Sequence, residues 1–337
     1  MRKASTVKVF KDCLGIGIDV SKGELVVVGL TTGEPYIKRV NNRLTSIRAF
    51  VRALSKAGYG GQIICESTGH YHLKLALACH ELGMEIIVLN PLQSSKHSKA
   101  KVRKTKTDAE DGLMLATMCI TEPKLPKPTQ LTASKALIQL KMGQLASIEK
   151  QLQKSQSSLN QYEETYAELG LELSELQVSL RAHHRSFKRL QKQLQGELED
   201  LLIDNMADQK SYIRLCRLPG YSNVVSGLVG QLDRQVKGAS SWVAYAGLDI
   251  SVRESGTWKG RGKLTKRGNA YLRKRLFQAA WGACMNYDYV RAYYDMLKAQ
   301  GRNHTEANCM ISRKLLKIAY QVVVNEKEYD PKIAFSN

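Results

Sequence analysis

Leu14-Gly15-Ile16-Gly17-Ile18-Asp19-Val20 is an apolar run interrupted by a single charge near its end. A short apolar run bounded by turn residues reads as a buried strand. Working outward, Glu24 to Leu30 is a second strand, rich in valine, and Tyr36 to Val40 alternates as a third. The connections are short and include Thr32-Gly33-Glu34-Pro35, which predicts antiparallel hairpins. A helix follows from Leu44 to Ala57, ended by Gly58. After it come a strand (Gln62 to Glu66), a helix (Tyr71 to Leu82), a strand (Glu85 to Asn90, stopped by Pro91) and a helix from about Thr107. The predicted order is βββαβαβα.

Three hairpin strands followed by βα units describe the RNase H-like fold, an α/β domain assigned here to residues 1–128. Pro123, Pro126 and Pro128 mark its end. Beyond them the period changes. Leu145, Ile148, Leu152, Leu159, Tyr162, Tyr166, Leu169, Leu173, Leu176 and Leu180 alternate spacings of three and four, with Ser155 at a polar seam position. Phe187, Leu190, Leu194 and Leu201 continue the register, with His183 and Glu197 as polar members. Sustained heptads of this kind predict a coiled coil over residues 129–207. An oligomerising coil is the preferred reading, because the heptad carries through Gly170; a hairpin bent there within one chain is the alternative. Residues 208–337 read as mainly helical, with helices from Ala270 to Cys284, Tyr289 to Ala299 and Thr305 to Val324. Within them Glu254 to Gly268 is too polar for a core.

Lys and Arg number 51 against 31 Asp and Glu, a net charge of +20 in 337 residues. Solubility does not require such an excess; a polyanion whose counterions are released on binding explains it, and nucleic acid is the leading partner. No apolar run reaches membrane-spanning length, so no membrane partner is expected. Met1-Arg2-Lys3 is followed by neither an apolar core nor a cleavage site, which predicts no signal peptide. The seven cysteines form no C-x-x-C pair and sit mostly in apolar surroundings, the pattern of buried free thiols in a reducing cytoplasm. His70, His72, His183 and His184 have no cysteine partners at zinc-ligand spacing.

Asp19 interrupts an apolar strand, and Glu66 ends another in Cys65-Glu66-Ser67-Thr68-Gly69. A buried carboxylate is costly unless something pairs with it, and a metal ion is the usual partner. Asp108 and Asp111 lie three apart at the start of a helix, on one face, with Glu110 turned to a different, solvent-facing side. Hard cations such as Mg²⁺ take oxygen ligands, and two of them about 4 Å apart can clamp the attacking and leaving oxygens of phosphoryl transfer. Taken singly, each acid has an ordinary explanation: a turn cap, a surface ion pair, a helix-dipole contact. Four at these positions favour a metal site.

A second constellation is Tyr245-Ala246-Gly247-Leu248, Arg253-Glu254-Ser255-Gly256 and Lys259-Gly260-Arg261-Gly262, followed by Lys263, Lys266, Arg267, Arg273, Lys274 and Arg275. Residues 251–275 hold nine Lys or Arg and one acid. Glycines let backbone approach a phosphate closely, and guanidinium groups contact phosphate in pairs. Composition alone favours a disordered basic loop that only tethers DNA. A serine hydroxyl is a weak nucleophile that needs a base or a metal; the loop offers cations but no base, so activation would come from the carboxylate cluster. Leu218-Pro219-Gly220-Tyr221-Ser222-Asn223 resembles the turn of a helix-hairpin-helix, with Ser222 where a second glycine is usual.

Together these motifs resemble those of bridge-RNA-guided insertion-sequence recombinases, the DEDD transposases, whose relatives include the pilin-gene invertase. The residues that carry the resemblance are Gly17-Ile18-Asp19-Val20-Ser21-Lys22, Glu66-Ser67-Thr68-Gly69 with Tyr71, Asn90-Pro91, and Lys106-Thr107-Asp108 with Asp111. In the second half they are Leu218-Pro219-Gly220, Tyr245-Ala246-Gly247-Leu248, Glu254-Ser255-Gly256 and Lys266 through Leu276. The resemblance implies a RuvC-like N-terminal domain holding Mg²⁺, or Mn²⁺ in its place, through Asp19, Glu66, Asp108 and Asp111. It implies a C-terminal transposase domain in which Ser255 is the nucleophile of a phosphoserine intermediate. It implies target and donor DNA as substrates, a noncoding bridge RNA pairing with both, and a dimer of dimers. Arg253, Lys259, Arg261, Lys263, Lys266, Arg267, Arg273 and Lys274 are the expected nucleic-acid contacts. The sequence departs from the family at Gly247-Leu248-Asp249-Ile250, where proline often follows Gly-Leu-Thr. The competing reading is a metal-dependent nuclease resembling a Holliday-junction resolvase, with Ser255 incidental.

Overall fold

The first strand, β1 (Gly15–Val20), lies at the centre of a five-stranded mixed sheet of order β3-β2-β1-β4-β5. The computed structural model describes residues 9–91, 94, 107–123, 125–206, 208–251, 254–255, 258–259 and 262–335. β2 (Glu24–Leu30) pairs antiparallel with β1, and β3 (Tyr36–Asn41) antiparallel with β2. β4 (Ile63–Glu66) and β5 (Ile86–Leu89) add in parallel on the other side. Successive side chains of a strand point to opposite faces. Ile16, Ile18 and Val20 therefore share one face, buried with Phe50 and Leu75 of α1 (Leu44–Lys56) and α2 (Leu73–Glu81). On the opposite face Ile64, Ile87 and Leu89 pack on Met114, Leu115 and Met118 of α3 (Asp108–Thr121). The expected α/β order is present, a mixed sheet with helices on both faces, consistent with an RNase H/RuvC-like domain joined to a helical one.

Packing divides the chain into two units, Met1–Leu140 and Lys141–Asn337. The first ends later than the proline cluster suggests. Thr129 N donates to Ile86 O at 2.6 Å, and Leu131 and Ala136 are buried in the first unit's core.

The heptad residues do not run along one continuous coil. α4 (Ala133–Glu168) ends at a turn in which Gly170 adopts φ +65, and α5 (Glu175–Asp204) returns antiparallel. Cross-links between the two helices fix the pairing: Arg181 to Glu163, Lys141 to Glu197, and Ser155 Oγ to His184 Nδ1 at 2.6 Å. His184, rather than His183, thus faces the polar seam position; His183 hydrogen-bonds Ser179 O at 2.9 Å. The hairpin is well packed at its base, where Leu145, Leu198 and Leu202 are fully buried. Toward the bend the heptad leaves apolar side chains in water, with Leu169 and Leu176 at 66% and 70% exposure. Around Ser155 and His184 the seam opens into a cleft of about 360 Å³ that also touches Leu159 and Phe187.

The rest of the second unit is helical: α6 (Gln209–Cys216), α7 (Asn223–Gly230), α8 (Ala239–Tyr245), α9 (Ala270–Asn286), α10 (Asp288–Ala299), α11 (His304–Val324) and α12 (Pro331–Ala334). The three helices expected from Ala270 onward are present within two residues at each end. Trp242 of α8 meets Tyr320 of α11 edge-on at 5.1 Å. The turn compared with a helix-hairpin-helix is packed inward. Leu218, Pro219 and Tyr221 are buried, the Tyr221 hydroxyl donates to Leu315 O at 3.4 Å, and Ser222 caps α7. All seven cysteines are free, five of them buried. Among the described residues no helix is long and apolar enough to cross a membrane.

Candidate active site

Gly15, Gly17 and Asp19 share the face of β1 that meets α3. A Cβ on Gly17 would stand 2.0 Å from Gly112 O and 2.3 Å from Ala116 N, and one on Gly15 would stand 2.5 Å from Cys119 Cβ. The strand thus lies against the helix backbone itself. Two residues further along that face, Asp19 comes level with the first turn of α3, which carries Asp108 and Asp111. β4 runs parallel to β1 with Ile18 beside Cys65, so Glu66 follows beside Asp19; it shares the face of Ile64, again the α3 side. Asp19 and Glu66 therefore project from one sheet face at the strand ends, toward the first turn of α3 that carries Asp108 and Asp111.

Their environment records this convergence. Asp19 and Glu66 are half-buried, as is Asp111, while Asp108 is exposed. Burial, and then the negative charges of Asp108, Asp111 and Glu66, push the Asp19 carboxyl up to about 6. α3 begins on a capping box: Thr107 Oγ accepts from Glu110 N, and Thr107 N donates to Glu110 Oε2, each at 3.2 Å. Glu110, expected in solvent, is half-buried and closes the cap, because an N3 glutamate can reach back to the N-cap backbone. The donor set is all oxygen, which suits a hard divalent cation and not zinc. Among the described residues no three His, Cys, Asp or Glu side chains stand close enough together to hold a metal ion as placed.

Sequence reasoning missed Asn42, which is 3% exposed. Its Nδ2 donates to Ser21 O at 2.7 Å and Tyr71 O at 3.4 Å, and Lys74 Nζ donates to Asn42 O at 2.8 Å. This one side chain ties the chain just past Asp19 to the turn that follows Glu66. Asn42→Ala leaves buried carbonyls unpaired, at a cost of about 1–3 kcal/mol. The expected result is a lower urea midpoint; an unchanged midpoint would mean that the strand ends hold their places without it.

In the second unit the polar stretch is a ribbon of short ladders. β6 (Ile250–Ser251) pairs with β9 (Lys263–Leu264), and inside that pair in sequence β7 (Glu254–Ser255) pairs with β8 (Trp258–Lys259). Ser255 is paired with Trp258, next to the tip. The base is clamped: Thr265 N donates to Asp249 O at 2.9 Å, the Thr265 hydroxyl bonds the Asp249 carboxylate, and Asn269 N donates to Tyr245 O at 2.7 Å. Arg253 and Arg261 lie outside the described residues.

The expected nucleic-acid contacts separate into two groups. Lys263, Lys266 and Arg267 are exposed, and Lys266 holds left-handed backbone (φ 53) with its N–H on Gly247 O at 3.2 Å. Arg273 and Lys274 each bond a group of the fold, Arg273 from a half-buried position and Lys274 from an exposed one. Arg273 Nη1 donates to Ala246 O at 2.9 Å, and burial lowers its pKa. Lys274 Nζ and Arg275 Nη2 each bond Glu149 at 2.5 Å, a carboxylate whose side chain is 7% exposed. That triad anchors α4 to α9; removing Glu149 would strand the Arg275 guanidinium, whose side chain is 12% exposed. No local signal in the sequence links Glu149 to positions 274 and 275.

Two family models match the chain. One, of the DEDD type and described as a transposase, matches residues 16–169; the other, described as the transposase IS116/IS110/IS902 family, matches residues 214–295. A relative named as an uncharacterised 43.6 kDa protein of insertion element IS110, from Streptomyces coelicolor, is 30% identical over 96 residues. That match spans 28% of this chain and 24% of the relative. The acid-bearing region falls within the first matched segment and the Ser255 ribbon within the second, and in both segments the chain is similar to the transposases of the IS110 family.

Proposed function

We propose that this chain cuts and rejoins DNA at the ends of an insertion element, with Asp19, Glu66, Asp108 and Asp111 holding Mg²⁺ and Ser255 as nucleophile. The observation that carries this reading is that Asp19 and Glu66, at two strand ends, face Asp108 and Asp111 in the first turn of α3, where burial and then the neighbouring acids push the Asp19 carboxyl up to about 6. A bound divalent ion would neutralise that charge and polarise the scissile phosphate. The Ser255 oxygen forms a bond to phosphorus, the bond from phosphorus to a deoxyribose oxygen breaks, and the serine proton leaves to a base or water while the released oxygen is protonated. The ester retains the energy of the broken linkage, so attack by another DNA hydroxyl regenerates the serine and rejoins strands without ATP. The exposed Lys263, Lys266 and Arg267 hold phosphates beside the ribbon. A structured noncoding RNA pairs with target and donor and supplies sequence choice, and four copies assemble as a dimer of dimers.

The metal part is tested by Asp19→Asn. Because the folded-state carboxyl titrates near 6 and a free aspartate near 4, ionised Asp19 costs stability above about pH 6 and nothing below about pH 4. The substitution is expected to stabilise the metal-free protein at pH 7.5 by about 1–2 kcal/mol after allowance for solvent screening. It should also abolish the rise in melting temperature that Mg²⁺ gives the parent protein. Should the Asn variant respond to Mg²⁺ as the parent does, these acids are not the ligands.

A further inference from the structure

α5 carries a second charged feature that neither the acid cluster nor the serine ribbon uses. From Leu176 to Gly196 it holds five Lys or Arg, two His and no acid. α4 opposite balances its charges, with Lys135, Lys141, Lys150 and Lys154 against Glu149, Glu163, Glu164 and Glu168. Of the five cations, Arg181 pairs with Glu163. Arg185, Lys188, Arg189 and Lys192 are exposed and have no acid partner among the described residues; Arg189 donates only to Ser186 Oγ at 3.2 Å. Their spacing of three, four and seven puts them in one stripe, about 10 Å long at the helical rise. Seam residues His184, Phe187 and Leu198 turn toward α4, so Arg185, Arg189 and Lys192 point away from it into solvent, with Lys188, one heptad after Arg181, exposed at the flank of the seam. Like charges three and four apart repel and weaken an isolated helix. A stripe that accepts this cost along two turns, with no interleaved glutamate, is complementary to a regular row of negative charge.

We propose that this outward face of α5 docks on the sugar–phosphate backbone of duplex DNA flanking the reacting linkage. The proposal rests on the reading of the chain as a DNA-acting enzyme and adds a binding surface to it. The shape selects B-form DNA. A straight helix about 10–12 Å across meets phosphates along a major groove about 12 Å wide, whereas the deep, narrow groove of A-form RNA excludes it. The contacts are to phosphate, so they position the duplex and do not read its sequence.

The test uses the full chain carrying Arg185→Gln, Lys188→Gln, Arg189→Gln and Lys192→Gln together. A control of equal charge change carries Arg52→Gln, Lys56→Gln, Lys298→Gln and Arg302→Gln, all exposed. Circular dichroism and melting temperature verify both folds. Fluorescence anisotropy with a labelled 40-base-pair duplex is followed against salt. The stripe variant is expected to lose about 3 from the slope of log K on log salt, near 0.9 for each phosphate contact, and to bind about 30-fold more weakly or worse at 0.15 M. The control should change the slope by less than about 1. Equal losses in both variants would reduce the stripe to bulk charge and overturn the proposal. Loss of duplex RNA binding with DNA binding intact would overturn the assignment to DNA. A parent protein that binds duplex with no salt dependence would sink the DNA-acting reading itself, whereas a steep parent slope retained by the stripe variant sinks this surface alone.

Discussion

Ser255→Ala is expected to abolish the covalent protein–DNA adduct and to lower strand transfer by roughly 10³-fold or more, the scale on which loss of a nucleophile acts. The variant removes one oxygen, the atom that would bond to phosphorus. It leaves the Ser255–Trp258 pairing of the ribbon, which is made by backbone. Binding of DNA and the Mg²⁺-induced rise in melting temperature should therefore be retained, which separates lost chemistry from lost structure. The measurement is a denaturing gel of end-labelled DNA after incubation with the protein, whatever RNA co-purifies with it, and Mg²⁺, with and without protease. A protease-sensitive labelled adduct in the parent and none in the variant is the expected pair. If the variant recombines at the parent's rate, serine has no part in the mechanism. Free ends from the parent with no adduct would select instead the hydrolytic, resolvase-like route, in which the carboxylate site activates water. Asp108→Asn stops both routes and cannot tell them apart.

The sheet and its acids were legible in the sequence because both rest on local contrast. Valine- and isoleucine-rich runs separated by turn residues define the strands, and a lone charge at the end of such a run stands out at Asp19 and Glu66. The direction of the long helices was not legible. A heptad seam buries the same positions whether its partner helix belongs to another chain or comes back after a bend. What decides is the turn at Gly170 and the particular match of Ser155 to His184, neither of which alters the period. Long-range polar partnerships were equally hidden. Arg273 and Lys274 look like their basic neighbours, yet one is spent on the Ala246 carbonyl and the other on a glutamate 125 residues earlier. Asn42 acts by bonding backbone groups that only tertiary structure brings near it. The ribbon read as loop because its ladders are two residues long, too short for a period of two to show.

Gly17→Ala is expected to destabilise the protein by about 3 kcal/mol, at the upper end of what one inserted methyl does in a packed core. Its Cβ would fall 2.0 Å from Gly112 O and 2.3 Å from Ala116 N. Those are backbone atoms of a helix and have no rotamer to escape into, so α3 must withdraw from β1 or the strand must bend. Gly112 cannot absorb the shift by moving deeper, since its own surroundings are already tight: a Cβ there would meet Val28 Cγ2 at 2.7 Å. Withdrawal also has a functional consequence. β1 carries Asp19 and α3 carries Asp108 and Asp111, so the movement that relieves the clash separates the acids. Gly17→Ala should therefore also lose most of the rise in urea midpoint that Mg²⁺ is expected to give the parent. Gly23→Ala is the control: nothing lies within 4 Å of a Cβ at that position, and the change should alter stability by no more than about 0.5 kcal/mol. Urea midpoints with and without Mg²⁺ read both effects. A Gly17→Ala protein with the parent's midpoint would mean that helix and strand are not in backbone contact. One that is destabilised but keeps its full Mg²⁺ response would mean that the acids do not depend on this contact for their convergence.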